Sequence, residues 1–333
     1  MSKFDHEYIK LCKEILENGT EVENRTGINT IKIPGYTFSH NVGEEFPILT
    51  TKQVFYKNAI SEILWIYQAA SNDGRWLHER GNHIWDEWLV DEDGVYRIYP
   101  QGNSEARENV VVKDLDGHEM YRLDGKYYTK ENAPEGAELA TEEGLVDAKY
   151  YGVEAAHTIG TAYGWIVNRY DLVRNLINTI KNNPTDRRMI MSLWQNEFLK
   201  TAVLPSCVYC SEWDVTDGKL NAWVHQRSCD VPLGLPFNVT QYAVLQSLIA
   251  HCTGLEPGML YWSIKDAHIY VNQVEGIKEQ IQRYETLEDL DAPYLWLNPE
   301  KTDFFEFDNK KDNEDIKILE YKHHGKISFP IAQ

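Results

Sequence analysis

The sequence predicts a mixed α+β chain, and two observations carry that expectation. Helical periodicity at 4–17, 56–70, 170–182 and 240–253 is interleaved with runs of β-formers at 29–40, 188–194, 207–215 and 219–227. The 333 residues are 42% apolar and 26% charged, with 10 Trp, 20 Tyr and 10 Phe. That composition is globular and excludes a mainly disordered or collagen-like chain. The length fits about two domains or one large α/β or α+β domain, and it buries a core without needing a disulfide or a metal.

In chain order, residues 4–17 place Phe4, Ile9, Cys12, Ile15 and Leu16 at near-helical spacing, with Asn18-Gly19 as a stop. Residues 29–40 predict one or two short strands around Pro34-Gly35. Residues 56–70 predict a helix with Ile60, Ile63, Leu64 and Tyr67 on one face and Glu62 inside the apolar run. A tryptophan-rich segment follows at 82–90. Residues 91–156 carry 16 Asp and Glu against 7 Lys and Arg and alternate short β-like pieces with Gly, Asn and Pro. They read as an inserted, hairpin-rich excursion. A helix at 170–182 stops at Asn183-Pro184. Asp217-Gly218 marks a hairpin between the strands 207–215 and 219–227. Residues 240–253 predict a buried helix closed by Gly254. The tail 303–333 alternates charged and apolar residues.

Charge and cysteines bound the function. Lys and Arg total 33 against 52 Asp and Glu, a net charge of −19. This disfavours a protein that coats DNA or RNA, which needs a basic face. A single nucleotide is still compatible, because a few converging arginines bind one phosphate in an acidic protein. Five cysteines without regular spacing make a poor disulfide framework, so reduced thiols and a cytoplasmic location are expected. The first residues lack the apolar core of a signal peptide, and no stretch approaches the ~20 apolar residues of a membrane helix.

Several residues could carry chemistry. Cys207 starts a strand after Leu204-Pro205-Ser206, and Arg227 in Gln226-Arg227-Ser228-Cys229-Asp230 could face it across the hairpin. A thiol beside a cation can act as a nucleophile. The alternative is a buried structural cysteine. Cys207 and Cys210 also match C-x-x-C, but a redox pair wants a helix N-terminus, and zinc would need two more ligands. Arg25, Arg187 and Arg188 sit at element ends, where they suit phosphate or simply solvent. Asn238 offers donors and an acceptor that match uracil, or it caps the following helix. His268 and Tyr270 stand two residues apart on one strand face, able to share a hydroxyl. Glu62 in an apolar face must be paired, hydrated or functional.

Taken together these segments resemble the thymidylate synthase family. The matching stretches include Asn24-Arg25-Thr26-Gly27, Phe46 to Lys52, Ile84-Trp85-Asp86-Glu87-Trp88, Asp186-Arg187-Arg188, the run Gln226 to Asn238, and Asp266-Ala267-His268-Ile269-Tyr270. They run in family order over roughly 4–90 and 160–333. The resemblance implies one domain over 1–333, a large twisted mixed β-sheet with helices packed on one face, and a variable insertion at about 91–156. It implies reductive methylation of dUMP to dTMP with 5,10-methylenetetrahydrofolate as cosubstrate and no metal, in a homodimer with no membrane or DNA partner. By the same resemblance Cys207 is the nucleophile, and Arg227 favours its thiolate and binds phosphate. Arg25, Ser228 and, from the other subunit, Arg187 and Arg188 join that phosphate site. Asn238 reads the base, with Gln226 and Asp230 also among the dUMP-binding residues, while His268 and Tyr270 hold the 3′-hydroxyl. Glu62 relays protons, and Tyr163 helps remove the C5 proton. Ile84, Trp85, Trp88, Asp230, Leu233, Gly234 and Phe237 would form the folate wall, with Lys52 at the glutamate tail. Ile331-Ala332-Gln333 would close over both ligands.

The sequence departs from the family in having Val208 after the cysteine instead of the commoner His, Ser206 before it, and Gln333 at the end. The rival readings are a dUMP hydroxymethylase of the same fold, a dCMP enzyme (disfavoured by Asn238), a zinc or redox C-x-x-C module, and a non-catalytic RNA binder.

Overall fold

A computed structural model describes residues 2–24, 26–100 and 104–331. Its frame is one seven-stranded sheet of β1 (Thr20–Val22), β2 (Thr30–Asn41), β3 (Ile190–Ser192), β4 (Val208–Thr216), β5 (Lys219–Gln226), β6 (Cys229–Asp230) and β7 (Glu256–Tyr270). The spatial order is β1-β2-β7-β5-β4-β3, with β6 pairing to the end of β7. The β5–β7 and β6–β7 pairs are parallel and the others antiparallel, so the sheet is mixed.

Six helices matter for the site: α1 (Lys3–Asn18), α2 (Tyr56–Tyr67), α3 (Gly164–Tyr170), α4 (Leu172–Asn182), α5 (Gly234–Thr253) and α6 (Val274–Thr286). Alternation along β5 sends Leu220, Ala222, Val224 and Gln226 inward and leaves Trp223 partly exposed. α5 packs on that inner face and on α2. It is apolar nearly all round, which is what a helix buried between sheet and helices requires. Each fully buried Leu or Ile there, such as Leu245, Leu248 and Ile249, contributes about 1.5–3 kcal/mol.

Local chemistry explains where elements begin and end. Ser2 caps α1 by accepting from the Asp5 N–H. Asp217 and Gly218 both have positive φ, the geometry of a tight turn whose twist matches its strands. Gly254, with φ 71°, closes α5 in the left-handed region.

Three expectations change. The 29–40 stretch is one twelve-residue strand that runs through Pro34. β1 pairs only with Thr30–Lys32, so beyond that point β2 is an edge on one side, where proline is tolerated. α5 starts at Gly234 and not at 240, with Pro236 in its first turn, so Asn238 lies inside the helix and is not its N-cap. The long strand β7 and the helices α3 and α6 add elements that the periodicity reading left out.

Residues 91–100 and 104–156 form short strands around their own apolar cluster of Val95, Val110, Val112, Met120, Tyr127, Ala140, Leu145 and Ala148. Among the described residues no helix is long and apolar enough to cross a membrane.

Candidate active site

The ends of β5, β6 and β7, the start of β4, and one face each of α2 and α5 enclose a cleft of about 860 Å³. Cys207 stands at its edge of the sheet, half-buried, one residue before β4. The Arg227 backbone N–H donates to the Cys207 carbonyl at 2.9 Å, which registers the two strand ends. The Arg227 guanidinium donates to the carbonyls of Ser206 (3.0 Å) and Pro205 (2.6 Å), and its Nη2 lies 3.8 Å from the Cys207 Sγ. Two backbone acceptors thus hold the cation beside the sulfur, where it favours negative charge on that atom.

Tyr163 packs on the other side. Its hydroxyl accepts from the Cys207 N–H at 2.9 Å, and burial pushes its pKa well above the ordinary value. Its φ of 46° is in the left-handed region that a bulky residue avoids, a strain held by the surrounding fold. The next residue must be glycine: a Cβ on Gly164 would stand 2.0 Å from the Ser71 carbonyl oxygen.

The floor is a directional hydrogen-bond relay. The Trp262 indole N–H donates to Gln226 Oε1 at 3.0 Å, and Gln226 Nε2 donates to Asn238 Oδ1 at 3.0 Å. Asn238 Nδ2 donates to Gln241 Oε1 at 3.1 Å, and Gln241 Nε2 donates to Glu62 Oε2. Trp85 Nε1 donates to the other carboxylate oxygen at 2.8 Å. An indole only donates and a carboxylate only accepts, so the two ends fix the orientation of all three amides between them. Asn238 keeps one N–H and one lone pair of Oδ1 for the cleft. Burial raises the Glu62 pKa to about 7, against the pull of the Trp85 and Gln241 hydrogen bonds.

At the far end of β7, His268 Nδ1 meets Asp266 at 2.9 Å, and the His268 and Tyr270 rings pack edge to face at 5.3 Å. The His268 hydrogen bond and Lys32 hold the Asp266 carboxyl down at about 2. Asp230 accepts from the Leu233 N–H (3.1 Å) and from Gln273 Nε2 (3.2 Å), and burial raises its pKa. Gln273 also donates to the Pro330 carbonyl at 3.0 Å, and Arg283 donates to the His324 carbonyl at 2.8 Å. Phe329 fills the space over Gly276, where a Cβ would come within 2.5 Å of the ring. These contacts strap 324–330 along α6 and bring Ile331 to the cleft.

The cleft therefore gathers Glu62, Tyr163, Cys207, Arg227 and Asn238. Ser228, Asp230, His268 and Tyr270 also line it, as do Ile84, Trp85, Trp88, Leu233, Gly234 and Phe237. Gln226 stands behind Asn238. Arg187 and Arg188 are exposed and line no part of the cleft in this chain. Lys52, which the resemblance sets at the glutamate tail of the folate, is buried, donates to the Pro232 carbonyl at 2.6 Å and lies 4.7 Å over the Phe329 ring. Burial lowers its pKa to about 8. Arg25, Ala332 and Gln333 lie outside the described residues. Val208 is buried and gives the cleft no polar side-chain atom. Among the described residues, no cysteine belongs to a group of three metal-ligating side chains, and burial raises the Cys210 pKa to about 11, opposite to what a reactive thiol pair needs.

Gln241, Trp262, Gln273 and Arg283 were missed from sequence. Gln241 carried the same signal as Glu62, a polar residue inside an apolar helix.

Comparison with known proteins places this architecture. The family model described as "Thymidylate synthase" matches residues 6–333. A thymidylate synthase of Clostridium beijerinckii is 39% identical over 332 residues, covering 100% of both chains. One of Bacillus mojavensis is 34% identical, again over 100% of both. The solved thermostable thymidylate synthase A from Bacillus subtilis superposes with a TM-score of 0.74 at 33% identity, covering 99% of each chain. Fold and relatives define an enzyme of the methyltransferase class on a two-layer α+β scaffold. The chain belongs to the thymidylate synthase family.

Proposed function

We propose that this enzyme converts dUMP to dTMP with 5,10-methylenetetrahydrofolate as one-carbon and hydride donor, releasing dihydrofolate. The observation that carries the reading is the Cys207 Sγ beside the Arg227 guanidinium, on the same cleft as the oriented Asn238 amide. Cys207 adds through Sγ to C6 of the uracil ring, which makes C5 nucleophilic toward the folate methylene. Glu62 exchanges a proton with the O4 side of the ring, directly or through water. Tyr163 assists loss of the C5 proton. Release of the Cys207 sulfur and hydride transfer from the reduced folate complete dTMP. Arg227 and Ser228 bind the phosphate, joined by Arg25 and by Arg187 and Arg188 of a second copy. His268 and Tyr270 hold the 3′-hydroxyl. Trp85, Trp88, Ile84, Leu233, Phe237 and Asp230 hold the pterin, with Gly234 allowing close approach. Closure of the tail at Ile331 and Ala332 excludes water, so that hydride ends the reaction.

The second copy is supported by the outer sheet face. Trp223 and Tyr261 stack there at 4.6 Å, partly exposed, beside a groove of about 420 Å³. Arg187 and Arg188 lie three and two residues before the edge strand β3. A homodimer that covers this face would carry those arginines to the partner's cleft.

The direct test supplies dUMP and 5,10-methylenetetrahydrofolate and identifies both products by mass. dTMP with dihydrofolate is expected; hydroxymethyl-dUMP with tetrahydrofolate would overturn the reading. Asn238→Asp is expected to shift the dUMP:dCMP preference toward dCMP by at least about tenfold, because the relay then presents a carboxylate to the base edge. An unchanged ratio of kcat/KM values would remove Asn238 as base reader.

A further inference from the structure

The 91–156 segment contributes a wall to the same cleft. Strands Val95–Ile98 and Asp147–Tyr150 pair antiparallel, with Tyr96 opposite Lys149 and Ile98 opposite Asp147. Alternation turns Val95 and Ala148 into the segment's own core and puts Tyr96, Ile98 and Lys149 on the other face, which Tyr151 continues. All four line the cleft that Trp85 and Trp88 also line. The Tyr96 and Tyr151 rings meet edge to face at 6.4 Å and fix the shape of this wall.

Charge singles out Lys149. Among the described residues, the Lys and Arg side chains on the cleft are Lys32, Lys149 and Arg227. Asp266 holds Lys32, and the Pro205 and Ser206 carbonyls hold Arg227 beside Cys207. Lys52 is buried against Pro232. Lys149 makes only a loose pair with Asp147 at 3.7 Å and is 46% exposed, so its ammonium can reach an incoming anion. In a chain of net charge −19, such a cation at an apolar, aromatic wall suits an anionic ligand with an aromatic stem.

We propose that this hairpin is the outer wall of the folate subsite, with Lys149 holding the carboxylates of the glutamate tail. Tyr96, Ile98 and Tyr151 then flank the p-aminobenzoyl ring that joins pterin to tail. The proposal rests on the reading above that a reduced folate is the cosubstrate. It gives the segment a function and adds Lys149 to the contacts of the glutamate tail.

The test compares Lys149→Glu and Lys149→Ala with wild type, using 5,10-methylenetetrahydrofolate carrying one and five glutamates. With the pentaglutamate, KM is expected to rise about fivefold in Lys149→Glu and less in Lys149→Ala. The rise should be smaller with the monoglutamate, and it should shrink near 1 M salt, where the Debye length falls to ~3 Å. kcat and the KM for dUMP should not change. KM values for both folates that match wild type in both variants, at low salt, would overturn the proposal while leaving the synthase reading intact. A wild-type enzyme that neither binds nor turns over either folate would sink the functional reading, and the proposal with it.

Discussion

Cys207→Ser is expected to lower dTMP formation by on the order of 10⁴-fold or more while leaving dUMP binding within about twofold. The change is nearly isosteric, so the Arg227 contacts to the Ser206 and Pro205 carbonyls and the Tyr163 contact to the residue-207 N–H should persist. What is lost is the ionisable sulfur. A guanidinium 3.8 Å away stabilises a thiolate but cannot ionise an alcohol to a useful extent near neutral pH. Steady-state turnover and equilibrium binding of dUMP check the two halves separately. Turnover near the wild-type rate would show that the nucleophile is elsewhere.

Glu62→Gln should lower kcat by about 10²–10³-fold. The carboxylate receives one N–H from Trp85 and one from Gln241. A carboxamide has only one oxygen, so it must set an NH₂ against one of those donors. Turning Gln241 to relieve the clash would turn Asn238 and Gln226 in sequence, until the Trp262 indole blocks the last step. On the proposed roles, the variant therefore disturbs the base reader as well as the proton carrier.

The pH behaviour follows from the pKa of about 7. In the proposed mechanism the neutral acid meets charge developing on the ring oxygen, so wild-type kcat should fall as pH rises through about 7, and the variant should lose that limb. The linked stability has the same sign. The unfolded carboxyl ionises near 4.5, so the folded state holds the extra proton between 4.5 and 7. Stability falls by about 3 kcal/mol over that window and is level above it. A kcat profile of identical shape in wild type and variant would remove Glu62 from proton transfer.

Much of this site was legible because its chemistry is written in short, local signals. Glu62 stands out in an apolar helix, and Asp217-Gly218 forces a hairpin that brings Arg227 back toward Cys207. The relay was less legible, because Gln226, Gln241 and Trp262 come from β5, α5 and β7 and meet only when the parallel β5–β7 pair forms. Long-range pairing also explains β7 itself. Its fifteen residues contain Pro257, Gly258, Lys265 and Asp266, which weaken any local strand pattern. Pairing with β2 and β5 on both sides overrides that weakness. The burial of Lys52 was not legible either, because it depends on the packing of 324–330 on α6, far along the chain.

Among the described residues, the large apolar cluster and that of 91–156 share no side chain. Cooperative units follow such divisions, and a small cluster opens at lower free energy than a large one. One wall of the cleft thus belongs to the large sheet cluster and another to the small cluster, which is expected to open at the lower free energy. Hydrogen exchange at Val95–Ile98 and Asp147–Tyr150 can then proceed while the amides of β5 and β7 stay protected. On the proposed mechanism, such opening would loosen the grip on the folate without disturbing the thiol that holds the nucleotide.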